Sequence, residues 1–251
     1  LQPPYIVLSP LDRDQIEEFA RAYWFAGHVP VEPEDTLLEK LICPGTDLHN
    51  VMGIPLILYM TLALDVDVTG SLHLGDVYDQ IFSLKSNNSI YFRGKYDSKH
   101  PVTAAEAEKI HIFSKKVATK MWEDNPSDAT LSKPCVEIIA NEVAGPGEES
   151  LRKLLIGQYF MEGQEGQELL FVHRSMFEYF VALSIFDLIE ALVAEKKKPE
   201  QLFSGAEMAT DENLLVPVAD LLGLQSLAEF PDIQGYLCHM LQRANTTTKK
   251  I

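Results

Sequence analysis

Cysteine is scarce: Cys43, Cys135 and Cys238 are odd in number, far apart and without a Cys-x-x-Cys pair. That spacing speaks against a disulfide framework or a cysteine-based zinc site and fits a reducing, cytoplasmic setting. Long apolar runs are missing too. The longest, Ile54 to Leu64, falls well short of the roughly 18 residues of a spanning helix, and the longer stretch Tyr179 to Ala194 is broken by Asp187 and Glu190. No membrane span is expected, and no signal peptide opens the chain. Cations are in deficit, with 21 Lys and Arg against 37 Asp and Glu and a formal net charge of -16. Nucleic acid is therefore a poor partner, as is an anionic membrane, because phosphate neutralisation needs a basic face. Catalytic motifs are also wanting. The only Gly-Lys pair, Gly94-Lys95, is followed by Tyr96 and lacks the upstream glycine of a phosphate-wrapping loop. There is no acidic strand-end pair for magnesium, no Gly-x-Ser-x-Gly elbow and no His-Glu-x-x-His helix. The stretch is expected to hydrolyse nothing by itself, with no catalytic residue and no metal site.

What is present reads as ordinary globular protein, 251 residues with 46% hydrophobic and 23% charged content, enough for one large domain or two to three small ones. Helical patterning dominates. Asp12 with Gln15 is a capping pair, followed by Ile16, Phe19, Ala20 and Tyr23 at helical spacing, so a helix is predicted from Arg13 to about Ala26, ending at Gly27. A second is predicted from Glu34 to Ile42, and Asp47 can cap a short third. Pro55 then opens an all-round apolar helix, where its missing amide is harmless. A helix carrying Val77, Tyr78, Ile81 and Phe82 follows from Asp76, and Ile90 to Tyr96 reads as an exposed strand or loop. Thr103 with Glu106 starts a long helix whose buried stripe is Ile110, Phe113, Val117 and Met121 or Trp122, leaving Lys115, Lys116 and Lys120 on a solvated face. Further helices are predicted over Leu131 to Val143, closed by Gly145-Pro146-Gly147, and from Glu148 or Ser150 onward.

Gln158 to Met161 and Glu168 to His173 flank a polar, glycine-containing turn and read as a β-hairpin. Helices followed by a hairpin are the order of a winged helix. Behind the hairpin, Ser175 and Glu178 form a capping pair ahead of Tyr179, Phe180, Leu183 and Phe186, so a helix is expected to start at Ser175 and to stop at the lysines before Pro199. Asp211 to Leu222 and Ile233 to Arg243 read as later helices. His173 lies just before the predicted helix start, where unpaired amides and the helix dipole favour an anion. Taken alone it is open to two readings, a strand-end histidine bonded to a backbone carbonyl or a residue facing such an anion. Pro55, taken alone, reads as the proline start of a buried core helix.

The string Phe171-x-His173-x-Ser175-x-x-Glu178-Tyr179-Phe180-x-Ala182 resembles the end of the winged-helix domain in NACHT-type members of the STAND signal-transducing NTPases. Gly53-Ile54-Pro55 is similar to the Gly-x-Pro motif of the same proteins, and Ser9 to Phe19 resembles the segment that precedes it there. The resemblance covers about residues 8 to 190, with two departures: Ser86 to Pro101 is longer than the family pattern, and Gly53 stands where NACHT versions often carry asparagine. It implies a mainly α chain: a helical domain (1–72), a winged-helix domain with a small β-hairpin (73–190), and a helical linker or start of a sensor region (191–251). It also implies that His173 faces the terminal phosphate of bound ADP and that Pro55 packs against the adenine. ADP or ATP would be held only together with an upstream nucleotide-binding domain of the same parent chain, an ATPase that oligomerises on activation in immune or antiviral signalling. The opening Leu1-Gln2-Pro3-Pro4, without Met, fits such an upstream part. A freestanding winged-helix protein-interaction module is the alternative. A DNA-binding regulator is a weaker one, because the helix before the hairpin and the hairpin's turn are both acidic.

Overall fold

The computed structural model describes residues 10–26, 38, 39, 41, 52–64, 66, 73–85, 89, 90, 102–157, 160–163, 166–196 and 227–248. The chain divides into two compact units, Leu1–Ala107 and Glu108–Ile251. Among the described residues the secondary structure is mainly helical, with one small antiparallel sheet. No helix among them is long and apolar enough to cross a membrane.

In the first unit, α1 (Arg13–Phe25) begins where its sequence predicts. Asp12 Oδ1 accepts the Gln15 amide at 2.9 Å and Gln15 Oε1 accepts the Asp12 amide at 3.0 Å, satisfying two donors that the helix cannot. Its buried face is Ile16, Ala20 and Trp24, a row with four-residue spacing; Phe19 and Tyr23 are half-buried on its flank. α2 (Pro55–Ala63) carries its proline in the first turn and buries Ile57, Leu58, Met60, Thr61 and Leu62. The amide of Leu11 donates to the Gly53 carbonyl at 2.7 Å, tying the two helix entrances together. α3 (Leu74–Ile81) starts two residues earlier than Asp76, and its cap is His73. In the predicted helix from Glu34 to Ile42, Leu38, Glu39 and Leu41 are helical, with Leu38 and Leu41 buried. The rest of that stretch, the cap at Asp47, Tyr91 to Tyr96 and Asp211 to Leu222 lie outside the described residues.

The second unit is built around α4 (Ala104–Asp124), α5 (Lys133–Ala144), α6 (Glu149–Gly157), α7 (Arg174–Lys196) and α8 (Pro231–Thr248). Its strands are β1 (Thr130–Ser132), β2 (Phe160–Glu162) and β3 (Glu168–Phe171), in the order β1-β3-β2 and antiparallel throughout. Register pairs Leu131 with Leu169 across one side of β3 and Met161 with Leu170 across the other. The cap on α4 is the predicted one, with Thr103 Oγ1 accepting the Glu106 amide at 3.2 Å and Glu106 Oε2 accepting the Thr103 amide at 2.8 Å. Ile110, Phe113, Val117, Met121 and Trp122 are fully buried, so both candidates for the stripe's last position face inward.

Aromatic contacts run through this core. Phe113 meets Phe160 edge-on at 5.7 Å, Phe160 meets Phe171 at 4.7 Å, and Phe171 stacks on Phe180 at 5.9 Å. They join α4, both hairpin strands and α7, and such pairs add to the gain from burying their area. Met176, Phe177, Tyr179, Phe180, Val181, Ala182 and Ile185 are all buried, which makes α7 a central helix wrapped on several sides rather than an amphipathic surface helix.

One predicted helix start differs from the sequence expectation, and two further features were not anticipated. Leu131 belongs to a strand, and the helix begins only at Lys133, with Pro134 in its first turn; a three-residue strand exists through its pairing with β3, which no local pattern encodes. The turn before it holds Ala129 at φ 52°, a left-handed conformation that disfavours most L residues by about 1–2 kcal/mol. The predicted helix Ile233 to Arg243 is found as α8, and its packing along α7 is the second such feature, with Tyr179 edge-on to Tyr236 at 5.9 Å and Trp122 edge-on to Phe230 at 4.7 Å. The Gly145-Pro146-Gly147 stop behaves as predicted, with Gly145 at φ 92° and Gly147 at φ 82°, values that glycine adopts without a Cβ penalty.

Candidate functional site

β3 delivers the chain to His173 and α7 leaves from it. Phe171 is buried, Val172 is exposed and His173 is half-buried, so the alternation of the strand carries the histidine to the edge of the core. The helix starts at Arg174, one residue before the Ser175 start predicted from sequence. The amide of Ser175, expected to meet the Glu178 carboxylate, instead donates to Nδ1 of His173 at 3.2 Å. The Ser175 hydroxyl also touches that nitrogen, and the His173 carbonyl accepts the Met176 amide at 3.1 Å. Histidine is thus the capping residue.

This geometry decides the ring's chemistry. A nitrogen that accepts a backbone amide carries no proton, so the neutral ring has its N–H at Nε2. Among the described residues Nε2 has no hydrogen-bond partner. Burial also lowers the imidazole pKa below its ordinary value, which favours the neutral form. The site therefore offers one N–H donor and an adjoining helix N-terminus, a combination suited to an oxygen-bearing anion.

Arg174 stands beside it with its guanidinium committed elsewhere. Its Nε donates to Glu178 Oε1 at 2.9 Å and its Nη1 to the Ser127 carbonyl at 2.7 Å. Glu178 is itself buried, and burial raises its pKa, opposed by the bond to Arg174 and reinforced by the charge of Asp232 on α8.

Pro55 belongs to the first unit, His173 to the second. Pro55 is exposed at the start of α2, and Tyr59, one turn further on and on the same face, is 49% exposed. Tyr23 of α1 meets Tyr59 edge-on at 6.0 Å. The helix is therefore not buried all round, and its open stripe is apolar and aromatic.

Two features escaped the sequence reading. His73 caps α3 just as His173 caps α7, its Nδ1 accepting the Gly75 amide at 3.0 Å while Asp76 Oδ2 accepts the His73 amide at 3.1 Å. The acidic residue three places after His73 was the available signal. His111, on α4 and edge-on to Phe180 at 5.9 Å, has its pKa pushed down to about 4, chiefly by burial and then by Lys115, with Asp187 acting the other way. Nothing in its sequence neighbourhood distinguishes it. No family model, no curated protein and no solved structure matches this chain.

Proposed function

We propose that this chain is the nucleotide-state-sensing, autoinhibitory arm of a NACHT-type STAND signalling NTPase, comprising a helical domain (1–72), a winged-helix domain (73–190) and a helical extension (191–251). The observation that carries the reading is His173 at the junction of β3 and α7, with Nδ1 occupied by the Ser175 amide and Nε2 without a hydrogen-bond partner among the described residues. Supporting the winged-helix part is the order helix, strand, helix, helix, two-stranded hairpin, with the first strand pairing onto the last. Supporting the adenine contact is the exposed stripe of Pro55 and Tyr59.

In this reading an upstream nucleotide-binding domain of the same cytoplasmic parent holds ADP, and the Nε2 proton of His173 bonds its terminal phosphate. Exchange for ATP removes that contact, frees the arm and permits oligomerisation. The differential contact supplied by one such bond is on the order of 1–3 kcal/mol. The test uses the full-length parent carrying His173→Ala or His173→Asn. Both variants are expected to retain less ADP through purification and to show raised resting activity, although asparagine can still accept the Ser175 amide. Normal nucleotide retention and normal resting activity in both variants would end the sensor role.

A further inference from the structure

Arg174 carries the wrong sign for its place. It is the first residue of α7, whose opening turn holds no acidic residue, although the amides and dipole of a helix N-terminus favour an anion and disfavour a cation. Its guanidinium is held there by two acceptors from different parts of the second unit. Nε donates to Oε1 of the buried Glu178, one turn further along α7, at 2.9 Å. Nη1 donates to the carbonyl of Ser127 at 2.7 Å, 47 residues back along the chain.

That carbonyl is presented by a closed turn. The Ala129 amide donates to the Asn125 carbonyl at 2.9 Å, Asn125 Nδ2 donates to Asp128 Oδ2 at 2.9 Å, and Ala129 at φ 52° hands the chain to β1. β1 pairs with β3, Thr130 opposite Leu170, and β3 runs into His173. The turn therefore shares a frame with the strand that delivers the imidazole. The ring's own seat is short: Nδ1 accepts the Ser175 amide and the His173 carbonyl accepts the Met176 amide. Both bonds lie in the first turn of α7, where helices fray. Arg174 is the residue between the ring and the amide it caps, and its bond to Ser127 reaches outside α7.

We propose that Arg174 is the positioning residue of the His173 site: by spanning Glu178 and the Ser127 carbonyl, its guanidinium holds the first turn of α7 against the turn before β1, which keeps Nδ1 on the Ser175 amide and the proton on Nε2. A planar guanidinium offers its donors in a rigid fork, whereas an ammonium at the same place keeps the charge and loses the fork. Arg174→Lys therefore separates geometry from charge. What the Nε2 donor meets rests on the nucleotide reading of His173; how the ring is held does not.

The test is a long-range proton–nitrogen correlation spectrum of the full chain, in which the two imidazole nitrogens of His173 report which of them carries the proton. It is recorded for wild type, Arg174→Ala, Arg174→Lys and, as a control that loosens the same unit from a buried position on α6, Leu155→Ala. Wild type should show the Nε2–H tautomer alone and a titration midpoint below the ordinary 6.5. Both Arg174 variants should show mixed tautomers and a midpoint moved up towards 6.5, while Leu155→Ala keeps the wild-type pattern. The Arg174 side chain is 49% exposed, and a cooperative melt verifies the fold of each variant. Wild-type tautomers in both Arg174 variants overturn the proposal. So does a change in the alanine variant that lysine restores, which assigns the effect to charge, or the same change in Leu155→Ala, which assigns it to loosening of the whole unit. In the full-length parent Arg174→Lys should lower ADP retention, and adding it to His173→Ala should lower retention no further, because Arg174 acts through the ring; additive losses would overturn the positioning role. Mixed tautomers with normal ADP retention in every variant would uphold the positioning role and end the nucleotide reading.

Discussion

Nδ1 of His173 accepts the backbone amide of Ser175 at 3.2 Å, and that single bond fixes the proton of the neutral ring on Nε2. His73 makes the same kind of bond with Gly75 at the start of α3. In both places imidazole performs the capping task that serine, threonine or aspartate commonly performs. The difference lies in what remains: a capping serine spends its only side-chain oxygen, whereas histidine has a second nitrogen, which at His173 meets no hydrogen-bond partner among the described residues.

The first prediction follows from the cap alone. His173→Ala should destabilise the second unit by about 1 kcal/mol, the usual cost of losing a cap, while His173→Asn should recover most of that loss. Thermal melts followed by circular dichroism would show it as a drop of roughly 2–4 °C for alanine. Equal melting of wild type and the alanine variant would mean that the Ser175 amide is satisfied without the ring.

Acid should reveal His111. Its pKa is depressed from 6.5 to about 4, mainly by burial, so between those values the unfolded chain takes up a proton that the folded one refuses. Folded stability therefore falls as pH drops from 6.5 towards 4, and this group can account for as much as about 3 kcal/mol of that fall. His111→Gln cannot titrate. Its melting temperature should decline less steeply than that of wild type across this window, measured relative to each protein's own value at neutral pH. Parallel curves would remove His111 as a source of acid sensitivity.

Much of this arrangement was readable because it is local. The spacing of Ile110, Phe113 and Val117 marked the buried face of α4, and the pairs Asp12 with Gln15 and Thr103 with Glu106 marked two helix starts to the residue. Part of what escaped depends on partners far along the chain. β1 exists because Thr130 to Ser132 pair with Glu168 to Leu170; by itself the same stretch continues smoothly into the helical pattern of α5. The hydroxyl of Ser175 made it the expected cap of α7, and a ring two residues earlier took the amide instead. The lysines of α4 read as a solvated face, and Lys116 and Lys120 are exposed in the structure; what the sequence did not show is that Lys115 and Lys116 pair with the distant Asp187 and Glu142.

Glu178 carries the opposite sign to His111. Burial raises its pKa, with Arg174 opposing and Asp232 reinforcing, so its contribution to stability is fully present below its unfolded value of 4.5 and is lost as pH rises through the folded one. Glu178→Gln keeps the size of the side chain, removes the buried charge and can still accept from Arg174. The variant should melt above wild type at neutral pH, and the two should converge as the solution is acidified towards pH 4.5 and below. A variant less stable than wild type at neutral pH would show that the ion pair with Arg174 outweighs the desolvation it requires.

The contact of Phe230 with Trp122 tests whether α8 is a separable layer. The rings stand 4.7 Å apart at 70°, Trp122 is fully buried, and Ile233, Tyr236, Leu237 and Met240 continue the apolar face of α8. Phe230→Ala should cost about 3–5 kcal/mol where the ring is packed. If α8 opens as a unit, that loss is concentrated in its own amides, which should exchange with solvent far faster while those of α4 and α7 stay protected. The indole of Trp122, uncovered at the same time, should shift its emission to the red; Trp24→Phe as background removes the other tryptophan's signal. Equal loss of protection in α4, α7 and α8 would instead make α8 part of one cooperative core, so that removing it should unfold the second unit rather than expose a surface.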